Sequence, residues 1–288
     1  MGDKKVALIG AQGMLASQVR ALAPVEVEIH CFDLPEFDLT DAAAVATTLA
    51  SLQPQIIINC AAFTNVDGCE SNAPLAFLVN GEGPGHLAAA AKQIGSTLVH
   101  ISTDYVFAGT KNEPYEVDDA PDPQSIYGQS KLAGEQAILN SGLEHYFMVR
   151  TSWLYGPDGN NFVETILRLA GERDDLGIVS DQIGSPTYTG DLAEALWRLL
   201  ATDDYGVYHF SNHGECSWYE FAREIIAQAK LCGLPLKLKT LRPIRTEDYP
   251  LPARRPAYSL LSKDRYLQVT GASIPFWRDS LQRYFAIR

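Results

Sequence analysis

The sequence has no long apolar run, no excess of positive charge and no closely spaced cysteine pair. None of its apolar segments approaches the length of about 18 residues that a membrane-spanning helix requires, and residues 1–5 lead into the first apolar run without a signal-peptide core. The formal net charge of −12 argues against a general nucleic-acid binder and against a polybasic membrane surface. We therefore expect a soluble, cytoplasmic protein with no nucleic-acid or membrane partner.

Metal-binding patterns are missing as well. The five cysteines are widely spaced, as is typical of reduced cytosolic thiols. Among the six histidines only His209 and His213 lie close together, and no cysteine or carboxylate pattern turns that pair into a zinc site. What the sequence does have is an apolar content of 46%, which is ample for a large core in a chain of 288 residues.

A glycine turn follows the first apolar run. The run 6–9 is succeeded by Gly10 and Gly13 and then by a helical pattern, in the order strand, turn, helix. Gly10 permits a tight turn, Gly13 lets the backbone approach a pyrophosphate, and the phosphates would lie on the helix N-terminal amides. Asp33 ends the next apolar run, where an acidic residue would accept from the adenosine ribose. The spacing G-x-x-G-x-x-A is a variant of the dinucleotide fingerprint, so an ordinary glycine turn is the alternative.

Short apolar runs alternate with helical patterns along the first half of the chain. The predicted strands are 6–9, 27–32, 56–60, 97–102, 146–150 and 177–179. Helices are predicted near 14–22, 41–52, 74–94 and 128–140. This βαβ alternation predicts an α/β fold with a doubly wound parallel sheet, in which ligands bind beyond the carboxyl ends of the strands.

The βαβ rhythm weakens after about residue 153, where glycines and prolines divide the chain into short pieces. This change predicts a dinucleotide-binding Rossmann domain over 1–153 and a smaller C-terminal substrate-binding lobe over 154–186 and 213–257. Segments at about 187–212 and 258–288 are expected to return to the first domain.

An arginine pair stands out in the predicted lobe. Arg254 and Arg255 are the only adjacent arginines of this acidic chain. Their guanidinium groups suit phosphate oxygens, while a solvated surface pair is the equally weighted alternative.

A tyrosine and a lysine four residues apart follow the tripeptide 102–104. On a helix this spacing puts Tyr127 and Lys131 on one face, about 6 Å apart along the axis. A fixed positive charge beside a phenol favours the phenolate, so we expect a lowered pKa for Tyr127 and a role in general acid catalysis. An ordinary helical pair is the alternative, because the pattern often arises by chance.

Together these motifs carry a family resemblance. The chain resembles the extended short-chain dehydrogenase/reductases and, within them, the dTDP-4-dehydrorhamnose reductases. The matching segments are G-A-Q-G-M-L-A at 10–16, D-L-T-D at 38–41, N-C-A-A-F-T-N-V-D at 59–67, S-T-D-Y-V-F at 102–107, Y-G-Q-S-K-L-A-G-E at 127–135, R-T-S-W-L-Y-G at 150–156, N-N-F at 160–162, D-Q-I-G-S-P-T at 181–187, S-W-Y-E-F-A at 217–222 and P-A-R-R-P at 252–256. They run in family order over nearly the whole chain, and ten such segments together are specific.

The resemblance implies a role for each matched position. The catalytic residues would be Thr103, Tyr127 and Lys131. The cofactor would be held by Gly10, Gln12, Gly13, Met14, Leu15, Asp33, Asp38, Leu39, Ala61, Ala62 and Thr64. The substrate would lie against Val66, Thr103, Asp104, Tyr105 and Trp153, with Asn161, Gln182 and Arg255 toward its nucleotide half. Trp153 could stack on the apolar face of a deoxysugar, although a core tryptophan is the plainer interpretation.

The implied chemistry is NADPH- or NADH-dependent reduction of the 4-keto group of dTDP-6-deoxy-L-lyxo-4-hexulose to dTDP-L-rhamnose, a precursor of cell-surface polysaccharide. Asp33 would repel the 2′-phosphate of NADP, yet such reductases often accept both cofactors, so the preference stays open. Some relatives dimerise through magnesium. A homodimer and Mg²⁺ are therefore possible, but the sequence does not place metal ligands.

Similar proteins have other activities. A 4,6-dehydratase of the same superfamily would have Glu at the position directly after Asp104. This chain has Tyr105 there. A nucleotide-sugar 4-epimerase shares the fold and the Tyr/Lys pair but recycles tightly bound NAD, and a reductase of another keto-sugar is equally open. A different class is the non-catalytic regulatory β-subunit of methionine adenosyltransferase, which the fold also resembles; the retained Thr103, Tyr127 and Lys131 favour an enzyme.

Overall fold

A six-stranded parallel sheet forms the centre of the computed structural model, which describes residues 4–288. The strands are β1 Lys4–Ile9, β2 Val27–Phe32, β3 Ile56–Asn59, β4 Thr97–Thr103, β5 Tyr146–Thr151, β6 Leu154–Tyr155, β7 Asp175–Val179, β8 Ile183–Gly184, β9 Thr187–Tyr188, β10 Gly206–His209, β11 Cys216–Ser217 and β12 Thr240–Ile244. The α-helices are α1 Met14–Ala21, α2 Ala42–Leu52, α3 Val66–Ser71, α4 Ala73–Phe77, α5 Gly83–Ile94, α6 Ile126–Asn140, α7 Phe162–Glu172, α8 Thr189–Leu199, α9 Trp218–Leu231, α10 Asp264–Thr270 and α11 Trp277–Ile287. No helix within 4–288 is both long and apolar enough to span a bilayer.

The strand order of the central sheet is β10-β5-β4-β3-β1-β2. The chain runs outward from β1 to β2 and then returns to β3 on the other side of β1. The direction of winding therefore reverses between β1 and β3, and the crevice at such a switch point is where ligands bind in open α/β sheets. Gly10 and Cys60, the residues that follow these two strands, stand at its mouth.

Side chains alternate between the two faces of the sheet. Val6 and Leu8 of β1 pack with α1 and α8 on one face, whereas Ala7 and Ile9 pack with α2 and α5 on the other. Because a central parallel strand is covered on both faces, its sequence reads as one continuous apolar run. Burying each larger aliphatic side chain contributes about 1.5–3 kcal/mol, which makes the sheet a rigid base for the loops at its carboxyl edge.

A separate apolar cluster forms the core of a second lobe. It joins α7, α9 and α11 beside β7, through side chains such as Ile166, Phe221 and Trp277. β7 pairs in parallel with β12, outside the central sheet. Within 258–288, α10 packs on α8 and β10, whereas α11 packs with the second cluster. The expectation that all of 258–288 returns to the first domain is therefore wrong for α11.

The doubly wound α/β fold predicted from the sequence is confirmed. Residues 177–179 do lie in a strand, but that strand is β7 and pairs with β12 rather than with the central sheet. The sixth strand of the sheet is β10, which pairs with β5 and was not predicted.

Candidate active site

A cavity of about 620 Å³ opens at the carboxyl ends of β1, β3, β4 and β5. Its lining contains most of the residues that were predicted to bind cofactor or sugar: Gln12, Gly13, Met14, Leu15, Ala62, Thr64, Val66, Thr103, Asp104, Tyr105, Tyr127, Lys131 and Trp153. The other predicted residues lie outside this lining: Gly10, Asp33, Asp38, Leu39, Ala61, Asn161, Gln182 and Arg255.

The glycine turn has the geometry that a pyrophosphate needs. Gly10 has φ +74°, and a Cβ at this position would lie 2.6 Å from the Ala61 nitrogen. Such a contact is impossible for an L side chain, so the first turn and the loop after β3 can meet only through glycine. Gly13 is the N-cap of α1 and supplies no side-chain cap, so the first amides of α1 face the cavity with the partial positive charge of the helix N-terminus. A dinucleotide phosphate fits this position.

The acidic residue at the end of β2 contacts the glycine turn directly. The backbone N–H of Gln12 donates to Asp33 Oδ2 at 2.7 Å. Further along, the Asp38 carboxylate accepts from the backbone and the hydroxyl of Thr40, and these hydrogen bonds lower the pKa of Asp38. Leu39 is buried against α5, and its carbonyl oxygen lies 3.1 Å from His86 Nδ1 of that helix. This loop lies beside the turn, on the side where the adenosine of a dinucleotide would extend.

Thr103, Tyr127 and Lys131 converge from two elements. Thr103 ends β4, and Tyr127 lies in the first turn of α6, whose N-cap Ser125 accepts from the Gly128 N–H at 3.1 Å. Burial raises the pKa of the Tyr127 phenol, and the Thr103 hydroxyl opposes that shift. The expectation that Lys131 lowers the pKa of Tyr127 is wrong: the two side chains line one cavity, but burial of the phenol raises its pKa, and the Asp104 carboxylate raises it further.

Lys131 is almost completely buried, with 2% exposure. Its Nζ donates to the Ile101 carbonyl at 2.7 Å and lies 3.4 Å from His100 Nε2. Burial lowers the pKa of Lys131 to about 8, although the Glu135 carboxylate raises it. At pH 7 the amine is therefore mainly protonated, with about a tenth of it neutral.

Asp104 and Tyr105 complete the polar side of the cavity. Burial raises the pKa of Asp104 to about 6, against the opposing hydrogen bonds of the Ser259 and Thr103 hydroxyls. The Tyr105 ring meets the Tyr127 ring edge to face, with centroids 5.4 Å apart. Because Tyr105 also lines a second cavity, it forms part of the wall between the two.

Trp153 has an unusual backbone and a covered face. Its φ of +48° is rare for a bulky residue, and strain of this kind is concentrated at functional sites. The indole stacks on Trp218, with ring centroids 3.5 Å apart and an interplanar angle of 9°. One face of Trp153 is therefore unavailable to a sugar, which could meet only its edge or its other face.

The second cavity, of about 1280 Å³, is bounded by α7, β7, β12 and the loop 249–258. Gln182 and Arg255 line it, and Gln182 Nε2 donates to the Thr246 hydroxyl at 3.0 Å. Asn161, also expected at the nucleotide half, instead caps α7: its Oδ1 accepts from the Glu164 N–H and its Nδ2 donates to the Gly156 carbonyl. Its Nδ2 also donates to the Gly159 carbonyl, so this end of the amide holds the loop 156–160 while the other caps the helix.

Sequence reasoning missed several residues of the first cavity. They are Asp158, Gly159 and Asn160, which belong to the loop after β6. The loop is tied to α1 by a hydrogen bond from the Ser17 hydroxyl to Asp158 Oδ2 at 2.9 Å. The sequence Asp-Gly predicts a turn here but gives no indication of which element that turn meets. Within residues 4–288, no group of three His, Cys, Asp or Glu side chains is placed to hold a metal ion.

The reversal of a parallel sheet, the glycine turn at that point, and a Thr, Tyr and Lys around one cavity define a dinucleotide-binding protein of the extended short-chain dehydrogenase/reductase class. Residues 4–287 match the family profile described as RmlD substrate binding domain, and the chain belongs to this family.

Relatives with similar sequences and folds span the whole chain. The spore coat polysaccharide biosynthesis protein SpsK of Bacillus subtilis (strain 168) is 42% identical over 285 residues, which cover 99% of this chain and 98% of that protein. The dTDP-4-dehydrorhamnose reductase of Escherichia coli (strain K12) is 37% identical over 288 residues, covering 96% of each. The crystal structure of dTDP-4-dehydrorhamnose reductase from Bacillus anthracis str. Ames in complex with NADP superposes with a TM-score of 0.94 and 42% identity, covering 100% of both chains. The resemblance inferred from the motifs is confirmed.

Proposed function

We propose that this protein is an NAD(P)H-dependent reductase that converts dTDP-6-deoxy-L-lyxo-4-hexulose to dTDP-L-rhamnose for polysaccharide biosynthesis. The observation that carries the proposal is the meeting of Thr103, Tyr127 and Lys131 in one cavity with the uncapped N-terminus of α1. Relatives named dTDP-4-dehydrorhamnose reductase support the substrate, and SpsK supports the polysaccharide context.

The cofactor would lie along the carboxyl edge of the sheet. The amides of Gly13, Met14 and Leu15 would bind its pyrophosphate, Asp33 its adenosine ribose, and Ala62 and Thr64 its inner part. Gly10 and Ala61 support this turn from below. Asp38 and Leu39 would flank the adenine. When bound, the nicotinamide supplies the hydride for the reduction.

The choice between NADPH and NADH turns on Asp33. Its carboxylate already accepts from the Gln12 N–H, so it is held at the edge of the turn. A 2′-phosphate would meet its negative charge, whereas a free ribose would find an acceptor. The B. anthracis relative was solved with NADP, which supports use of NADPH despite this charge. We propose that both cofactors are used.

Proton transfer is the task of Tyr127. Because burial raises the pKa of this phenol, it is fully protonated at neutral pH and able to donate to the carbonyl oxygen of the keto-sugar. The Thr103 hydroxyl would donate a second hydrogen bond to the same oxygen, where negative charge develops. Lys131 would hold the nicotinamide ribose and stabilise the tyrosinate that remains.

The substrate would extend across the wall between the two cavities. Its sugar would lie against Val66, Asp104, Tyr105 and Trp153 in the first cavity. The nucleotide diphosphate would enter the second cavity, where Arg255 and Gln182 offer hydrogen-bond donors. Asn161 acts at a distance, by holding the loop 156–160. On this interpretation, 1–153 with 187–212 and α10 binds the cofactor, while 154–186, 213–257 and α11 cover the substrate.

Turnover measurements test the proposal. Enzymatically generated dTDP-6-deoxy-L-lyxo-4-hexulose should be reduced with NADPH and with NADH, and the corresponding UDP and GDP keto-sugars should be much poorer substrates. A 4-epimerase would instead retain NAD through purification and interconvert sugars without consuming added cofactor. A regulatory subunit would bind a dinucleotide and reduce none of the three sugars.

A further inference from the structure

Three buried side chains form a line behind the candidate active site. Asn59 ends β3, His100 lies on β4 and Lys131 projects from α6, with exposures of 1%, 1% and 2%. Asn59 Nδ2 lies 3.1 Å from His100 Nδ1, and His100 Nε2 lies 3.4 Å from Lys131 Nζ. Asn59 and His100 are buried away from the cavity that Lys131 lines, so each hydrogen between them must be placed on one partner or the other.

The orientation of the Asn59 amide is fixed from the opposite side. The backbone N–H of Ala61 donates to Asn59 Oδ1 at 3.1 Å. The end of the amide that faces His100 is therefore the NH₂ group, which can only donate. His100 Nδ1 must accept that hydrogen bond, and the single hydrogen of a neutral imidazole is consequently on Nε2.

The hydrogen on His100 Nε2 is directed at the amine of Lys131. An ammonium group has three donors and no acceptor, so two hydrogens would then point at each other. A neutral amine has a lone pair that accepts from Nε2–H, while one of its own hydrogens still donates to the Ile101 carbonyl at 2.7 Å. The imidazolium form of His100 is also disfavoured, because burial alone lowers the pKa of His100 below its usual value, and a protonated Lys131 would lower it further.

We propose that His100 is a positioning residue: held as the Nε2–H tautomer by Asn59, it favours the neutral amine of Lys131 and so sets where that lysine titrates. The tautomer assignment stands apart from any reaction, whereas its kinetic consequence rests on the proposed function. The other ionisable groups near Lys131 are Cys60, after β3, and Glu135, on the same helix. Glu135 is already engaged by Arg150 at 2.7 Å, which limits its pull on the amine.

The tautomer can be measured directly by NMR of protein labelled with ¹⁵N-histidine. The pattern of two-bond couplings distinguishes Nε2–H from Nδ1–H, and His100→Phe identifies the signal among the six histidines. His209 is a matched internal control. It is equally buried, but its Nδ1 faces the Tyr115 carbonyl at 3.0 Å and must carry the hydrogen. We expect Nε2–H for His100 and Nδ1–H for His209; Nδ1–H for His100 in the wild type would overturn the proposal.

Asn59→Asp reverses the direction of the hydrogen bonds from residue 59 through His100 to Lys131, with almost no change in the shape of the side chain. The carboxylate still accepts from the Ala61 N–H but must also accept from His100, which moves the histidine hydrogen to Nδ1 and turns Nε2 into an acceptor for the Lys131 ammonium. The His100 signal should switch tautomer while that of His209 does not move. An unchanged His100 tautomer in the folded variant contradicts the proposal. If the variant does not fold, the wild-type tautomer alone decides.

The coupling to Lys131 is tested by a cycle of variants. The ¹⁵N shift of His100 Nε2 should titrate with Lys131, and Asn59→Asp should move that midpoint upward by about one pH unit or more. The pH at which kcat/KM falls on the alkaline side should move upward by the same amount. In a His100→Phe background the carboxylate introduced by Asn59→Asp can act on Lys131 only through its charge. The pH midpoint of the alkaline fall in kcat/KM should then shift much less. Equal shifts in both backgrounds would show simple charge attraction and refute the role of His100. If no keto-sugar turns over, the reaction is misassigned, and the NMR titration still tests the coupling.

Discussion

Arg255 and Asp67 form a two-pronged ion pair at the mouth of the second cavity, with Nη1–Oδ1 and Nη2–Oδ2 distances of 2.7 Å each. The partners are 188 residues apart in sequence. The Ala253 N–H also donates to Asp67, so the loop 249–258 is fastened to α3. The guanidinium proposed to hold the substrate diphosphate is thus already oriented by a carboxylate, and its remaining hydrogens can face a phosphate.

Replacing Arg255 with Ala should raise KM for the nucleotide-sugar by roughly 10–100-fold, because a charge-assisted hydrogen bond contributes about 1.5–3 kcal/mol. KM for the cofactor should change little. Arg254→Ala is the matched comparison, since that neighbour also lines the second cavity but is exposed and has a single 3.4 Å side-chain contact, with Gln124. Equal effects on sugar and cofactor would reassign Arg255 to loop structure alone.

Replacing Tyr127 with Phe should lower kcat by roughly 10²–10⁴-fold, the usual contribution of a general acid, and leave the Kd of the dinucleotide nearly unchanged. Tyr266→Phe serves as a control, because this tyrosine is 2% exposed but projects from α10 into the core of the first domain. It should affect Tm only. Retention of more than about a tenth of the wild-type kcat by Tyr127→Phe would remove the phenol from the chemistry.

Replacing Asp33 with Asn should raise the ratio of kcat/KM for NADPH over NADH by roughly 10-fold, since the like charge opposite the 2′-phosphate is lost. The amide oxygen of Asn can still accept from the Gln12 N–H, although the hydrogen bond from the Leu34 N–H to the other oxygen is lost. Asp33→Ala removes both the charge and this acceptor, and comparing the two variants separates the two contributions. An unchanged ratio in both would locate the ribose elsewhere.

The pH dependence of stability should reveal Asp104. Its folded-state pKa of about 6 exceeds the ordinary value of 3.8, so the carboxyl contributes stability that is fully present below pH 3.8 and is lost as pH rises through 6. The integrated loss is on the order of 3 kcal/mol. Denaturant unfolding of the wild type and Asp104→Asn should therefore differ in pH slope between about 4 and 6. Parallel curves would show that Asp104 titrates normally.

Local patterns were enough to predict part of this molecule. Apolar runs marked the five strands β1 to β5, and the glycine turn and Tyr127 could be recognised because each motif is complete within a few residues. β10 was missed because it spans only 206–209 and begins with glycine; its pairing with β5 defines it. The roles of the site residues remain predictions until the variants are measured.

Long-range packing accounts for what the sequence did not reveal. His100 and Asp67 are brought to the site by contacts between elements far apart in the chain, and no local motif gives either of them a role. The pKa of Tyr127 was given the wrong sign for a related reason. Helical spacing indicates which groups are near each other, but the cost of burial depends on everything packed around them.

The contact between Gly10 and Ala61 limits how this protein can change. Any side chain at position 10 would have to adopt a left-handed backbone conformation and place its Cβ only 2.6 Å from the Ala61 nitrogen of the neighbouring loop. Position 10, at the floor of the dinucleotide cleft, therefore accepts only glycine, whereas position 33, at its outer rim, can accept other side chains. Substitutions designed to change the cofactor preference of this chain should therefore begin at Asp33 and leave Gly10 in place.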